Sequence, residues 1–194
     1  LHDLAVRVSD SPLWIQAFHR WMLGLAAQWA GLSDGLHAHS AAPLLVSDEQ
    51  GLGKSTFCRA LLPPELQAYY TDSVDLARPD KVERQLTEMG LLNLDEFDRI
   101  PEKKHPLLKN LMQLSALNLR KAYRRHSRAL PRIASFIGTS SCKVLSAPSG
   151  SRRFICVLVE HPINTYTLWK PVQSVGIIIP KKHYSNTTRS ASTC

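Results

Sequence analysis

Residues 47–56 read Ser-Asp-Glu-Gln-Gly-Leu-Gly-Lys-Ser-Thr and follow the short apolar run Leu44, Leu45, Val46. Glycines that let a backbone turn tightly, then a lysine, then a hydroxyl form the pattern of a phosphate-binding loop, whose ligand is a nucleoside triphosphate. The candidate nucleotide-binding residues are Gln50, Gly51, Leu52, Gly53, Lys54, Ser55 and Thr56. Backbone N–H groups of the turn would cradle phosphate, Lys54 would supply a point charge, and Ser55 would offer a hydroxyl to Mg²⁺. Asp48 stands where the full pattern has glycine. Aspartate tolerates a left-handed backbone, so the turn is expected to survive with that carboxylate pointing away from the phosphates. The plainer alternative is a glycine-rich turn with no ligand.

One helix-strand unit later, Leu91-Leu92-Asn93-Leu94-Asp95-Glu96 is an apolar strand ending in adjacent carboxylates. A Mg²⁺-dependent ATPase needs such a pair beside its phosphate loop: Asp95 to hold the metal, Glu96 to orient or deprotonate the attacking water. Neighbouring strand residues point opposite ways, so the two should not share one task. A third apolar run, Ile133 to Thr139, ends in small hydroxyls. There Thr139 and Ser140 are candidates to sense the γ-phosphate, or else belong to a serine-rich loop. Arg152 and Arg153 precede the run Phe154–Val159. They could reach a transferring phosphoryl group as a finger from a neighbouring subunit, contact DNA phosphates, or form surface ion pairs.

Arg120, Lys121, Arg124, Arg125, Arg128 and Arg132 fall close together around Tyr123 and His126, with no acid among them. Cations that track phosphates beside an aromatic that can stack on a base suit a single strand of nucleic acid. A solvated charged face is the competing reading. The net charge of +8 over 194 residues points the same way, toward a polyanionic partner, with nucleic acid before a membrane surface.

These groups need a scaffold, and the apolar runs supply one. Strand patterns at 44–47, 68–71, 91–95, 133–139 and 154–159 alternate with helical patterns at 56–62, near 80–88 and near 106–119. That alternation predicts an α/β fold with a parallel sheet covered on both faces. Trp14, Phe18, Trp21, Leu25 and Trp29 recur at helical spacing, the mark of a helix docked on the nucleotide-binding core. The expected division is an N-terminal helical segment (1–40), a core (41–160) and an irregular basic tail (161–194). His37 and His39, in the polar stretch between helix and first strand, are expected to be exposed. Cys58, Cys142, Cys156 and Cys194 have no paired spacing, so a reduced, cytoplasmic setting is expected. Gln16, His19, Arg20 and Gln28 argue against reading the N-terminal apolar stretch as a signal peptide or membrane span. After Glu160 the chain has no acid at all.

Taken together, Gln50-Gly51-Leu52-Gly53-Lys54-Ser55-Thr56-Phe57, Asn93-Leu94-Asp95-Glu96-Phe97-Asp98, Ile137-Gly138-Thr139-Ser140 and Gly150-Ser151-Arg152-Arg153-Phe154 resemble the virulence-associated protein E family. Its members are P-loop ATPases of bacterial mobile elements and phages, similar to superfamily 3 helicases and to the helicase half of viral primase-helicases. The resemblance implies a three-layer P-loop NTPase with an AAA+-like sheet of strand order 5-1-4-3-2. It further implies a homo-oligomeric ATPase that handles DNA, with a primase as partner; ATP and Mg²⁺ are read from the loop and the acidic pair, single-stranded DNA from the basic stretch, and no membrane attachment from the N-terminal polar residues. It also implies a helical continuation after the last strand, beside which the acid-free end after Glu160 reads as truncated or frame-shifted. It carries over Lys54 and Ser55 as nucleotide and metal ligands, Asp95 and Glu96 as the acidic pair, and Arg152 or Arg153 as the finger. Beside a DNA-remodelling ATPase, the residues leave open a small-molecule kinase and a nucleic-acid-binding module whose ATP site does not turn over.

Overall fold

A computed structural model describes residues 1–32, 39–119, 128–141, 153–166 and 168–169, with backbone alone at Leu119 and Arg128. Two helices, α1 (His2–Val6) and α2 (Pro12–Trp29), precede the first strand, β1 (Ala42–Val46). The chain continues through α3 (Lys54–Ala60), β2 (Tyr70–Thr71), α4 (Pro79–Glu88), β3 (Leu91–Leu94) and α5 (His105–Leu111). It ends with the pair β4 (Ala116–Leu119) and β5 (Arg128–Pro131), then β6 (Ser135–Ser140) and β7 (Phe154–Leu158).

Among the described residues five strands form one parallel sheet in the order β2-β3-β6-β1-β7. Numbered among themselves in chain order, they run 5-1-4-3-2 across it. β1, β3 and β6 are buried at every position, because both sheet faces are covered. Alternate residues feed two cores. Leu45, Leu91, Ile137 and Val157 pack with α1, α2 and α3, whereas Leu44, Val46, Leu92, Leu94 and Phe136 pack with α4 and α5. Gly138 is needed in β6: a side chain there would meet the Leu94 carbonyl at 3.1 Å and Leu44 at 3.0 Å.

α2 lays Trp14, Phe18, Trp21 and Leu25 on the first of these cores. Its polar atoms are also used. Trp21 Nε1 donates to the Ala41 carbonyl at 3.2 Å, Trp29 Nε1 to Gly90 at 3.1 Å and Gln28 Nε2 to Ala134 at 2.7 Å. Gln28 Oε1 in turn accepts the His39 N–H at 3.0 Å.

His39 is therefore not the exposed residue expected from its polar surroundings. Its imidazole rests on Gly24, where an added β-carbon would sit 2.7 Å from the ring, and its Nδ1 lies 2.9 Å from Ser135 Oγ. Burial, then the Arg132 charge, lowers its pKa to about 4. Its unfolded value is near 6.5, so between the two the unfolded chain binds the extra proton and folding weakens as pH falls. Acidification from pH 7 to pH 4 should cost on the order of 2–3 kcal/mol through this residue alone. His39→Gln should flatten that part of the pH dependence of the urea midpoint; an equally steep curve would remove His39 as its source.

The helix expected near 106–119 is corrected. α5 stops at Leu111, and residues 116–119 pair antiparallel with 128–131 in a separate two-stranded ladder, from Ala116 opposite Pro131 to Leu119 opposite Arg128. Leu117 of β4 is buried with α4 and α5, which seats the ladder on the body. Among the described residues no helix is long and apolar enough to cross a membrane.

Candidate active site

β1, β3 and β6 are neighbours and run parallel, so the turns that follow them open along one edge of the sheet, where α/β proteins place their ligands. The glycine-rich turn leaves β1 there. Gly51 and Gly53 both adopt φ of 81°, the left-handed backbone that favours glycine, and nothing lies within 4 Å of where a Gly51 side chain would begin. Asp48 stays outside the left-handed region, so the position where the full pattern has glycine makes no steric demand on it. Gln50 and Thr56 are exposed, Leu52 is buried, and the Leu52 carbonyl accepts the Ile163 N–H at 2.9 Å. Lys54 Nζ donates to the carbonyls of Ser47 at 3.2 Å and Glu49 at 3.0 Å, which holds the ammonium within the turn.

Asp95 is the meeting point. Its Oδ1 accepts the Ser55 hydroxyl at 2.7 Å and the Thr139 hydroxyl at 2.6 Å. One carboxylate thus joins the first turn of α3, the turn after β3 and the end of β6. Strand alternation explains the selection: Thr139 faces the side of Ile137, toward α3, while Ser140 faces the other side. The Ser140 hydroxyl donates to Asp98 Oδ1 at 3.1 Å. The two hydroxyls proposed together as sensors therefore serve different carboxylates.

Glu96 departs from the expected strand geometry. It lies just past β3 with φ 51° and ψ 51°, and is the one non-glycine residue at positive φ among those described. Such a backbone costs about 1–2 kcal/mol. It turns the Glu96 carboxylate outward to Arg99, with an N–O distance of 2.7 Å, and leaves the Glu96 N–H donating to Thr139 Oγ1 at 3.2 Å.

Other candidates lie elsewhere. Arg153 precedes β7, and its carbonyl accepts the N–H of Ala42 at the opening of β1. The strands being parallel, it sits at the opposite sheet edge from the glycine turn, about 13 Å away along β1. Arg152, Arg120, Lys121, Tyr123, Arg124 and Arg125 fall outside the described residues, and Arg128 opens β5. Arg132 is corrected from a surface cation to a buried tie. Its guanidinium donates to the carbonyls of Ala134 at 2.7 Å, Met112 at 2.6 Å and His39 at 3.0 Å. Cys58 is fully buried in α3, and burial followed by the Asp95 charge pushes its thiol well above its ordinary range, so it is no nucleophile.

The donor set suits a hard cation. A hydroxyl and a carboxylate oxygen meet at Ser55 and Asp95, and no group of three or more His, Cys, Asp or Glu side chains among the described residues makes a protein-only cage. Mg²⁺ is typically bound that way, by one or two protein oxygens with phosphate and water completing the shell. Two residues missed by sequence reasoning bear on the site. Ile163, seated on the turn, has no local pattern to announce it. Asp98 stood in plain view three residues after Asp95.

A family model described as the virulence-associated protein E-like domain matches residues 2–175, and the chain belongs to that family. Among solved structures, two of the C-terminal region of NrS-1 in its apo A form share the fold. One has a TM-score of 0.55 at 16% identity, covering 87% of this chain and 38% of that one. The other has a TM-score of 0.57 at 16% identity, covering 88% and 39%. The chain thus spans about two fifths of the length of those structures. No curated protein matches it.

Proposed function

We propose that the chain is a P-loop, AAA+-like ATPase that binds ATP with Mg²⁺, hydrolyses it, and uses the cycle to move along or remodel single-stranded DNA of a mobile element or phage. The observation that carries this reading is the convergence of Ser55, Asp95 and Thr139 through two short hydrogen bonds, beside a glycine turn holding Lys54. The strand order supports it, and so does the motif order by which the sequence resembles the virulence-associated protein E family.

Each residue then has a task. Lys54 releases one of its two carbonyl partners to meet a phosphate. Ser55 and Asp95 would hold Mg²⁺, which would supply positive charge against the phosphates of the bound nucleotide. Thr139 keeps Asp95 in orientation. Glu96 leaves Arg99 to accept the proton of the attacking water. Arg153, at the far sheet edge, can act only on the site of another subunit, which is the reason to expect an oligomer. The ladder β4–β5, fastened at its base by Arg132, carries between its strands the basic segment containing Tyr123, Arg124 and Arg125.

ATP turnover of the purified chain, measured with and without single-stranded DNA over a range of protein concentrations, tests the proposal. DNA should raise the rate several-fold, and activity per subunit should fall on dilution because the site is shared. Phosphate delivered to a nucleoside acceptor would replace the proposal with a kinase. Nucleotide binding without turnover at every concentration would leave a binding module.

A further inference from the structure

The short 3-10 turn Phe97–Arg99 that follows the acidic pair does more than end β3. Phe97 is buried, stacked on His105 with ring centres 5.3 Å apart and edge-on to Phe154 at 4.7 Å, so the turn cannot rotate freely. Locked in this way, it directs Asp98 at the end of β6. Asp98 Oδ1 accepts two hydrogen bonds there, from the Ser140 hydroxyl at 3.1 Å and from the Ser141 N–H at 2.9 Å. Burial pushes the Asp98 carboxyl up, but the N–H groups of Ser141 and Asp98 itself, with the Ser140 hydroxyl, outweigh it and keep the group below the usual carboxylate range. It is thus a charged acceptor at neutral pH.

On the opposite face of the same strand end, Thr139 is bonded to Asp95 and to the Glu96 N–H. The two aspartates grip successive residues of β6 from its two sides. We propose that Asp98 is a positioning residue: by holding Ser140 and Ser141 it fixes the end of β6, and so keeps the Thr139 hydroxyl on Asp95 and under Glu96. Its consequence for turnover rests on the ATPase reading; its consequence for geometry does not. Without Asp98, the Ser141 amide, just beyond the strand, loses this acceptor, and the β6 end is held less firmly against the acidic turn.

The test compares Asp98→Ala, which removes the acceptor, with Asp98→Asn, which keeps an oxygen in its place, in the full chain. Hydrogen exchange at the Glu96 amide reports the Thr139 contact directly. It should quicken about tenfold in the alanine variant and stay near the wild-type rate in the asparagine variant. Turnover should follow, with kcat about tenfold lower in the alanine variant at a KM changed less than about twofold, and most of kcat recovered with asparagine. Wild-type Glu96 exchange in Asp98→Ala would overturn the proposal, as would an asparagine variant as impaired as alanine. A lowered Tm in both variants with unchanged Glu96 exchange would overturn it too, marking Asp98 as a fold tie only. A wild-type chain that turns over no ATP would sink the ATPase reading, while the exchange measurement would still decide the role of Asp98.

Discussion

Lys54→Ala is expected to lower ATP turnover by about 10²–10³-fold, the scale seen when one preorganised stabiliser of transition-state charge is removed. The loop offers one ammonium, and its present partners are two backbone carbonyls of the same turn, 3.2 and 3.0 Å away. These contacts hold the ammonium in place without neutralising it: a phosphate entering the turn competes for the same donor with full negative charge, which a carbonyl dipole does not carry. Deleting the ammonium should therefore weaken nucleotide binding and the chemical step together while sparing the fold, because Lys54 is not part of either core. A thermal melt of the variant within a few degrees of wild type, alongside collapsed turnover and weakened ATP titration, is the expected pattern. Unchanged turnover would mean that phosphate is not held where the glycines turn. Loss of turnover with a large drop in Tm would point to damage of the sheet edge instead.

The parts of this site that could be read in advance are those whose signals are local. Gly51, Gly53, Lys54 and Ser55 lie within five residues, and the apolar strand before Asp95 ends where its carboxylate begins to matter. Asp95 and Glu96 do part company, but not by the strand alternation expected of them: both lie past the end of β3, and the left-handed turn that carries Glu96 to Arg99 has no marker in the residue types. The placement of Arg153 was implicit as well: a residue before one parallel strand and a loop after another must lie at opposite edges. What failed needed information from far along the chain. Leu114 to Leu119 continues an apolar pattern that suits a helix, and becomes β4 only because residues 128–131 are there to pair with it. His39 takes its environment from Gly24, Gln28, Arg132 and Ser135, none of them adjacent to it in sequence. A run of cations likewise gives no hint of which member turns inward.

That member is Arg132, and its loss should be strongly damaging to the fold. With 3% of its surface exposed, it is a charge buried without a carboxylate partner among the described residues. Burial lowers its pKa to about 10, still well above neutral pH, so the guanidinium remains charged and must be solvated by dipoles. Carbonyls supply them: Met112 after α5, Ala134 before β6 and His39 before β1, with the Phe136 ring 5.2 Å away. Its own N–H donates to the Ser115 carbonyl beside β4. One planar fork thus ties together three chain segments that enter the sheet and the ladder from different directions, a geometry lysine cannot copy. In Arg132→Met the stem volume is kept but the carbonyls lose their donor, and each buried acceptor left unpaired costs about 1–3 kcal/mol. Relief of the buried charge offsets part of this, leaving a net loss of about 3 kcal/mol and a Tm lower by roughly 6–12 °C for a domain of this size. Urea unfolding should show a lower midpoint at an unchanged slope, with Arg132→Lys recovering only part of it. A methionine variant as stable as wild type would mean that the carbonyls find water in place of the fork.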